Sequence, residues 1–249
     1  MQLHIILGST SVGKTARSIM LAKQTFAPVI VLDRIQIYQE LATGSGRPLI
    51  DELEGTTRTY LEERQVVDGE LTTVESLSLT LQIINQLSLR HNLLLLEGGS
   101  ISLCTALFKS GILDNYQTTI EYLTIQNEAA YCNRLWSRMQ DALISRPGQP
   151  SLLEELDRVW LDPRKLAFVR TVLGFDILVD WCQRFGLSPY EMWNTVQEDS
   201  LKVELIGQMF SAYLQYSRDQ RRAFDSLVVE YEQRRAFPRT KVGANERSV

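Results

Sequence analysis

Gly8-Ser9-Thr10-Ser11-Val12-Gly13-Lys14-Thr15 matches G-x-x-x-x-G-K-[ST] at every defined position, and no other stretch constrains the fold of this chain as tightly. The octapeptide follows the apolar run Leu3–Leu7 and leads into a helical pattern over Lys14–Thr25. A strand must therefore end, and a helix begin, around one glycine-rich turn. Its glycines let backbone N–H groups converge on phosphate oxygens, and the helix N-terminus adds partial positive charge. Lys14 supplies a mobile cation, and Thr15 offers a hydroxyl to Mg²⁺. Gly8, Ser9, Ser11, Val12, Gly13, Lys14 and Thr15 are the candidate ligands of a diphosphate or polyphosphate on a small molecule. The loop alone leaves three chemistries open: phosphoryl transfer, hydrolysis of a nucleoside triphosphate, or departure of an intact diphosphate.

Two further short runs, Val29–Leu32 ending on Asp33 and Leu93–Leu96 ending on Glu97, are apolar on both faces. Separated by helical segments, they indicate an α/β fold: a P-loop NTPase-like parallel sheet flanked by helices. Ligands of such sheets bind beyond the carboxyl ends of the strands, so Asp33 and Glu97 should both face the phosphate loop as candidate bases. Thr43–Pro48 (TGSGRP) reads as a glycine-rich loop near the ligand, and Val74–Leu89 as an amphipathic helix. Ser100 or Ser102 caps a helix reaching Lys109, and Thr118–Ile125 gives another strand. Helices then follow at about 127–144, 151–160, 163–185, 189–197 and 199–235. With no Ser- or Gly-rich linker, residues 1–235 are expected to form one domain. Its sheet part spans about 1–125, a helical C-terminal lobe covers about 126–235, and 236–249 is expected to be a flexible basic tail.

A net charge of −4 over 249 residues gives no general attraction to a polyanion, so neither DNA nor RNA is the expected partner. The apolar runs fall far short of the roughly 18 residues of a membrane helix, and a cytoplasmic protein is expected. Cys104, Cys132 and Cys182 show no CxxC spacing, which suggests neither zinc nor a disulfide framework. His4 and His91 are not placed for catalysis.

GSTSVGKT, LDRIQIYQ, ATGSGRP, LEGGSIS and RPGQPSLLEEL together resemble the adenylate isopentenyltransferases of cytokinin biosynthesis, particularly the short bacterial type, from Met1 to about Tyr216. The resemblance implies transfer of a dimethylallyl group from dimethylallyl diphosphate to N6 of AMP, with ADP and ATP as alternative acceptors, and diphosphate leaving intact. Asp33 becomes the base for the N6 proton, because a positioned carboxylate can relieve a weakly nucleophilic exocyclic amine of its proton as the bond forms. By resemblance Thr10 hydrogen-bonds across the reacting centre and Arg138 joins Lys14 and Mg²⁺ on the diphosphate. Arg146 falls by resemblance on the nucleotide side. Arg34, Ser45, Gly46, Arg47, Ser100 and Ser102 complete the expected AMP contacts, since small hydroxyls and backbone amides suit ribose and phosphate. The prenyl pocket is expected from Leu173, Tyr213 and Tyr216, with Gly174 alongside. Leu173 and Tyr216 stand where some related bacterial enzymes carry an Asp and a His, which predicts a preference for dimethylallyl diphosphate over its hydroxylated analogue.

Two other activities share part of this pattern. A tRNA dimethylallyltransferase uses the same loop, aspartate and donor, but the acidic balance and the TGSGRP loop weigh against it. A P-loop kinase would place Glu97 on its metal, and nothing beyond the loop supports one. The sequence is silent on oligomeric state, with a monomer as the default.

Overall fold

The computed structural model describes residues 1–195 and 199–236. In chain order the elements are β1 (Gln2–Gly8), α1 (Lys14–Thr25), β2 (Val29–Leu32), α2 (Ala42–Ser45), β3 (Arg58–Thr59), α3 (Thr73–Ser88), β4 (Leu93–Gly98), α4 (Ile101–Lys109) and β5 (Gln117–Leu123). Six helices follow: α5 (Glu128–Ala142), α6 (Leu152–Asp157), α7 (Pro163–Val169), α8 (Phe175–Phe185), α9 (Pro189–Thr195) and α10 (Asp199–Ala236).

All strand pairings are parallel, in the order β3-β2-β4-β1-β5. Leu3, Ile5, Ile6 and Leu7 of β1 and Leu94, Leu95 and Leu96 of β4 are all buried, because helices cover the sheet on both faces. Register sets Ile6 beside Glu97 and Leu32 beside Gly98, so Gly8, Asp33 and Glu97 emerge at one edge. Sequence capping signals fix the helix starts. Thr72 and Glu75 form a reciprocal capping box on α3, Ser100 caps α4, and Ser151 with Glu154 boxes α6.

Three features depart from the sequence pattern. The continuous helix expected over 163–185 is two helices, α7 and α8. The chain breaks before Gly174, whose φ of +94° suits glycine, and the Tyr213 ring occupies the space a side chain would need. The TGSGRP segment opens as one helical turn, α2, before Gly46 ends it in the left-handed region. Strand β3 was not foreseen, since two residues leave no periodicity to read.

The helical lobe shares its core with the sheet: one buried cluster runs from Leu3 through Leu135, Leu156 and Phe175 to Tyr231. Helix α10 packs on α5, α4, α8 and β1. Its last turn is held by Arg234, which donates to the Phe108 carbonyl at 2.6 Å, and Arg235, which donates to the Thr118 carbonyl at 2.9 Å. These two arginines of the basic C-terminal stretch are therefore structural, whereas the tail expected beyond them lies outside the described residues. No helix among the described residues is long and apolar enough to cross a membrane.

Gly174→Ala should cost about 1–3 kcal/mol, because its methyl group meets both a positive φ and the Tyr213 ring 3.1 Å away. Urea unfolding measures this, and an unchanged midpoint would show the α7–α8 break to be indifferent to glycine.

Candidate active site

The carboxyl ends of β1, β2 and β4 open into a cleft of about 490 Å³, closed from above by α5, the α7–α8 junction and α10. Its lining brings together Thr10, Ser11, Gly13, Lys14, Thr15, Asp33, Arg34, Ser45, Gly46, Ser100, Arg138, Leu173, Tyr213 and Tyr216 of the expected site. Gly8, Ser9 and Val12 lie in the same loop just behind this surface.

Lys14 donates to the Gly8 carbonyl at 2.9 Å and the Ser9 carbonyl at 2.8 Å, so its ammonium is folded against its own loop. Crowding by protein atoms lowers its pKa to about 8, and Arg138 adds to this while Glu97 and Asp33 oppose it. Thr15 donates its hydroxyl proton to Glu97 Oε1 at 2.8 Å, which leaves the oxygen lone pairs free on the other side.

Asp33 and Glu97 turn out to be unlike. Glu97 accepts from Thr15 and Ser18, and Arg58 of β3 grips both of its oxygens at 2.8 and 2.9 Å. Burial pushes its pKa up, but Arg58, the Ser18 hydroxyl and Lys14 together, with Arg58 foremost, hold it below the usual value. Glu97 is consequently an anchor with its charge already spent, and it drops out as a base. Asp33 uses only Oδ1, which accepts the Ile35 and Gln36 amides at 2.7 and 3.1 Å. Oδ2 faces the gap left by Gly99, whose missing side chain would sit 3.4 Å from it and 3.8 Å from Lys14 Cε. Removal from bulk water raises the Asp33 pKa despite those two amides and Lys14.

Arg138 leaves α5 toward the cleft, while Arg134 one turn earlier is exposed. Its Nη1 donates to Thr10 Oγ1 at 2.8 Å and Ser11 Oγ at 3.0 Å, and its guanidinium lies 5.7 Å from the centre of the Tyr213 ring. Gly46 presses against it so closely that a Cβ there would fall 2.5 Å from Nη2. One cation thus touches the phosphate loop and the TGSGRP segment and approaches an aromatic wall.

Some expected residues stand elsewhere. Arg146 lies outside the lining, about half exposed, paired with Asp141 at 2.7 Å in the turn it closes with Gln149. Arg47 also lies outside the lining. It donates to the Gln36 carbonyl at 3.0 Å, pairs with Glu63 and sits 3.9 Å over the Tyr60 ring, so it shapes the Asp33–Gln36 segment from outside. Ser102 reaches only the Ser100 hydroxyl, at 3.3 Å. Arg34 lines the cleft but is paired with Glu70 and the Leu71 carbonyl.

Sequence reasoning missed Arg58, Thr171, Val172 and Gln220, and gave no site role to Gln36 of the LDRIQIYQ motif, which lines the cleft. Gln220 is buried on α10, accepts from the Thr10 amide at 2.7 Å and donates to the Gly99 carbonyl at 2.7 Å. A glutamine inside a long helix gives no signal of this role. Leu173, Tyr213 and Tyr216, expected on the prenyl side, line the cleft together with Val172, and the Tyr213 hydroxyl is already donated to the Leu173 carbonyl at 3.0 Å.

The Arg58 and Glu97 side chains are 1% and 5% exposed, so Arg58→Ala strands a buried carboxylate. Unfolding in urea should register a loss of about 3–5 kcal/mol. A loss below about 0.5 kcal/mol, the size of an exposed surface change, would contradict the pairing.

Known proteins resemble this chain over most of its length. The family described as isopentenyl transferase matches residues 1–235. The adenylate dimethylallyltransferase of Ralstonia solanacearum is 34% identical over 212 residues, covering 84% of this chain and 89% of that one. That of Agrobacterium fabrum is 34% identical over 227 residues, covering 90% and 91%. Among solved structures, the tRNA isopentenylpyrophosphate transferase of Bacillus halodurans superposes with a TM-score of 0.68 at 15% identity, covering 94% of this chain and 96% of that one. The corresponding enzyme of Staphylococcus epidermidis gives 0.69 at 14% identity, covering 94% and 98%. Those two likenesses establish a shared fold, and with the family match over nearly the whole length the chain belongs to the isopentenyl transferase family.

Proposed function

We propose that this protein is an adenylate dimethylallyltransferase, which moves a dimethylallyl group from dimethylallyl diphosphate to N6 of AMP and releases diphosphate, the first step of cytokinin biosynthesis. The observation that carries the reading is the division of labour between the two carboxylates. Glu97 is neutralised by Arg58, while Asp33 keeps one oxygen free beside the Gly99 gap, with its pKa raised. A carboxylate of raised pKa is the stronger base, which suits removal of a proton from an amine as it becomes bonded to carbon.

On this reading the C1–O bond of the donor breaks as the N6–C1 bond forms. The N6 proton passes to Asp33 Oδ2, and the electron pair leaves with the diphosphate. Lys14, Arg138 and the amides of Gly8–Thr15 receive that growing charge, and stabilise it more in the transition state than in the ground state. Thr10 Oγ1 accepts from Arg138, so its own proton remains free to be donated into the cleft. Thr15 is suited to hold Mg²⁺, since its proton is committed to Glu97 and its lone pairs are not. No cluster of three or more metal-ligating His, Cys, Asp or Glu side chains exists among the described residues. When bound, Mg²⁺ would add positive charge to the leaving group.

Ser45, Gly46 and Ser100 form the acceptor side, and AMP is the acceptor on this reading. Relatives about one-third identical over most of their length carry that activity in their names, and the net charge of −4 does not suit tRNA. The same proposal makes the protein cytoplasmic and able to act as a monomer. Leu173, Val172, Tyr213 and Tyr216 enclose the prenyl tail, and the Tyr213 hydroxyl is engaged by Leu173.

Product analysis with AMP and dimethylallyl diphosphate should give N6-prenyl-AMP. Asp33→Ala should lower kcat by about 10²- to 10⁴-fold, and normal turnover by that variant would remove Asp33 as the base. Because the Asp33 pKa is raised, protonation should switch activity off at a pH above the ordinary aspartate range, so kcat/KM for AMP should fall on its acid side there. A profile flat down to pH ~4 would contradict this. Presented side by side, dimethylallyl diphosphate should be used with a higher kcat/KM than its hydroxylated analogue, and equal or reversed values would contradict the apolar pocket. Prenylated tRNA without prenylated AMP would favour the tRNA reading instead.

A further inference from the structure

The TGSGRP segment is held to the helical lobe by a side chain inside the RPGQPSLLEEL motif to which no site role was given. Glu155 on α6 is fully buried, and its two oxygens accept the Thr43 amide at 2.7 Å and the Gly44 amide at 3.0 Å. The Thr43 hydroxyl donates to the Pro150 carbonyl, one residue ahead of the capping box that starts α6. Gly44 lies flush against Phe175 of α8, where a Cβ would fall 2.3 Å from the ring. The next two residues, Ser45 and Gly46, line the cleft, and Gly46 backs onto Arg138.

We propose that Glu155 is a positioning residue for the acceptor: its carboxylate holds the Thr43–Gly44 backbone so that Ser45 and Gly46 meet the nucleotide, without itself touching substrate. The proposal rests on the assignment of Ser45 and Gly46 to the acceptor side. Two neighbouring N–H donors pointing the same way need two acceptors, and a carboxylate is the one side-chain group that offers a pair without a donor of its own. Packing alone would not select this residue. Burial pushes the Glu155 carboxyl up to about 7, only partly offset by the two amides, the Thr43 side chain and Arg158, so an apolar side chain of the same size would cost less to bury. The carboxylate at this position is explained by the loop geometry it imposes. The segment reaches the diphosphate-binding loop only indirectly, through Arg138 behind Gly46, so the effect should fall more heavily on AMP than on diphosphate.

Calorimetric titration of the full chain with AMP and, separately, with inorganic diphosphate and Mg²⁺ tests this in Glu155→Gln and Glu155→Asp. The glutamine keeps the shape but turns an NH₂ toward one of the two amides. Its AMP affinity should fall roughly tenfold or more, the scale of losing one charge-assisted hydrogen bond, with a much smaller loss of diphosphate affinity. Aspartate restores both acceptors at a shorter reach and should recover part of the loss. Steady-state kinetics should show the same split, KM for AMP rising more than KM for dimethylallyl diphosphate. Parallel weakening of both ligands, or no weakening of AMP, would overturn the proposal. So would aspartate performing no better than glutamine. A parent that binds diphosphate but not AMP would remove the acceptor assignment, and this proposal with it.

Discussion

Lys14 stands on the floor of the cleft with its ammonium satisfied only by two carbonyls of its own loop. The nearby carboxylates do not neutralise it, because Glu97 is committed to Arg58 and one oxygen of Asp33 is committed to amides. Arg138 adds a second cation against Thr10 and Ser11. Two cations beside a ring of backbone N–H groups make a site that an anion completes, and the parallel sheet is what brings them to one edge. Here the Arg58–Glu97 pair has a consequence for chemistry as well as stability. A P-loop enzyme that cleaves nucleoside triphosphates commonly turns an acid toward its metal, and this chain instead holds that acid in an ion pair.

The helical lobe supplies the other half of the site. Arg138 comes from α5, Gln220 of α10 ties the Thr10 amide to the Gly99 carbonyl, and Glu155 of α6 holds the TGSGRP segment. None of the three belongs to a loop that is free to drift, and all are backed by a core continuous with the sheet. Side chains held by packed helices keep donors and acceptors oriented before substrate arrives, the condition under which electrostatic stabilisation is greatest.

Much of this was legible in the sequence, for a physical reason in each case. Strands buried on both faces announce themselves as unbroken apolar runs, and the phosphate loop needs glycine and lysine at fixed spacing, so β1, β2, β4 and Asp33 could be placed without coordinates. Arg58 could not be, since a two-residue strand has no period and its partner is 39 residues away. Gln220 was equally silent, because a polar residue in a long helix reads as solvent-facing until packing shows otherwise, and Glu155, though inside a quoted motif, gave no sign of its burial. Arg146, matched locally to the nucleotide side, lies outside the cleft lining and pairs with Asp141, a placement set by the turn around Gln149 that the motif alone does not reveal. Local pattern carries the strands and the loop, and long-range contact decides the rest.

What the phosphate loop is gripping is the central claim: a leaving group that departs whole. With AMP, dimethylallyl diphosphate and Mg²⁺ supplied together, intact diphosphate should appear in an amount equal to the prenylated nucleotide, with no orthophosphate. Orthophosphate as the product, or conversion of ATP to ADP with no prenyl donor present, would contradict the account.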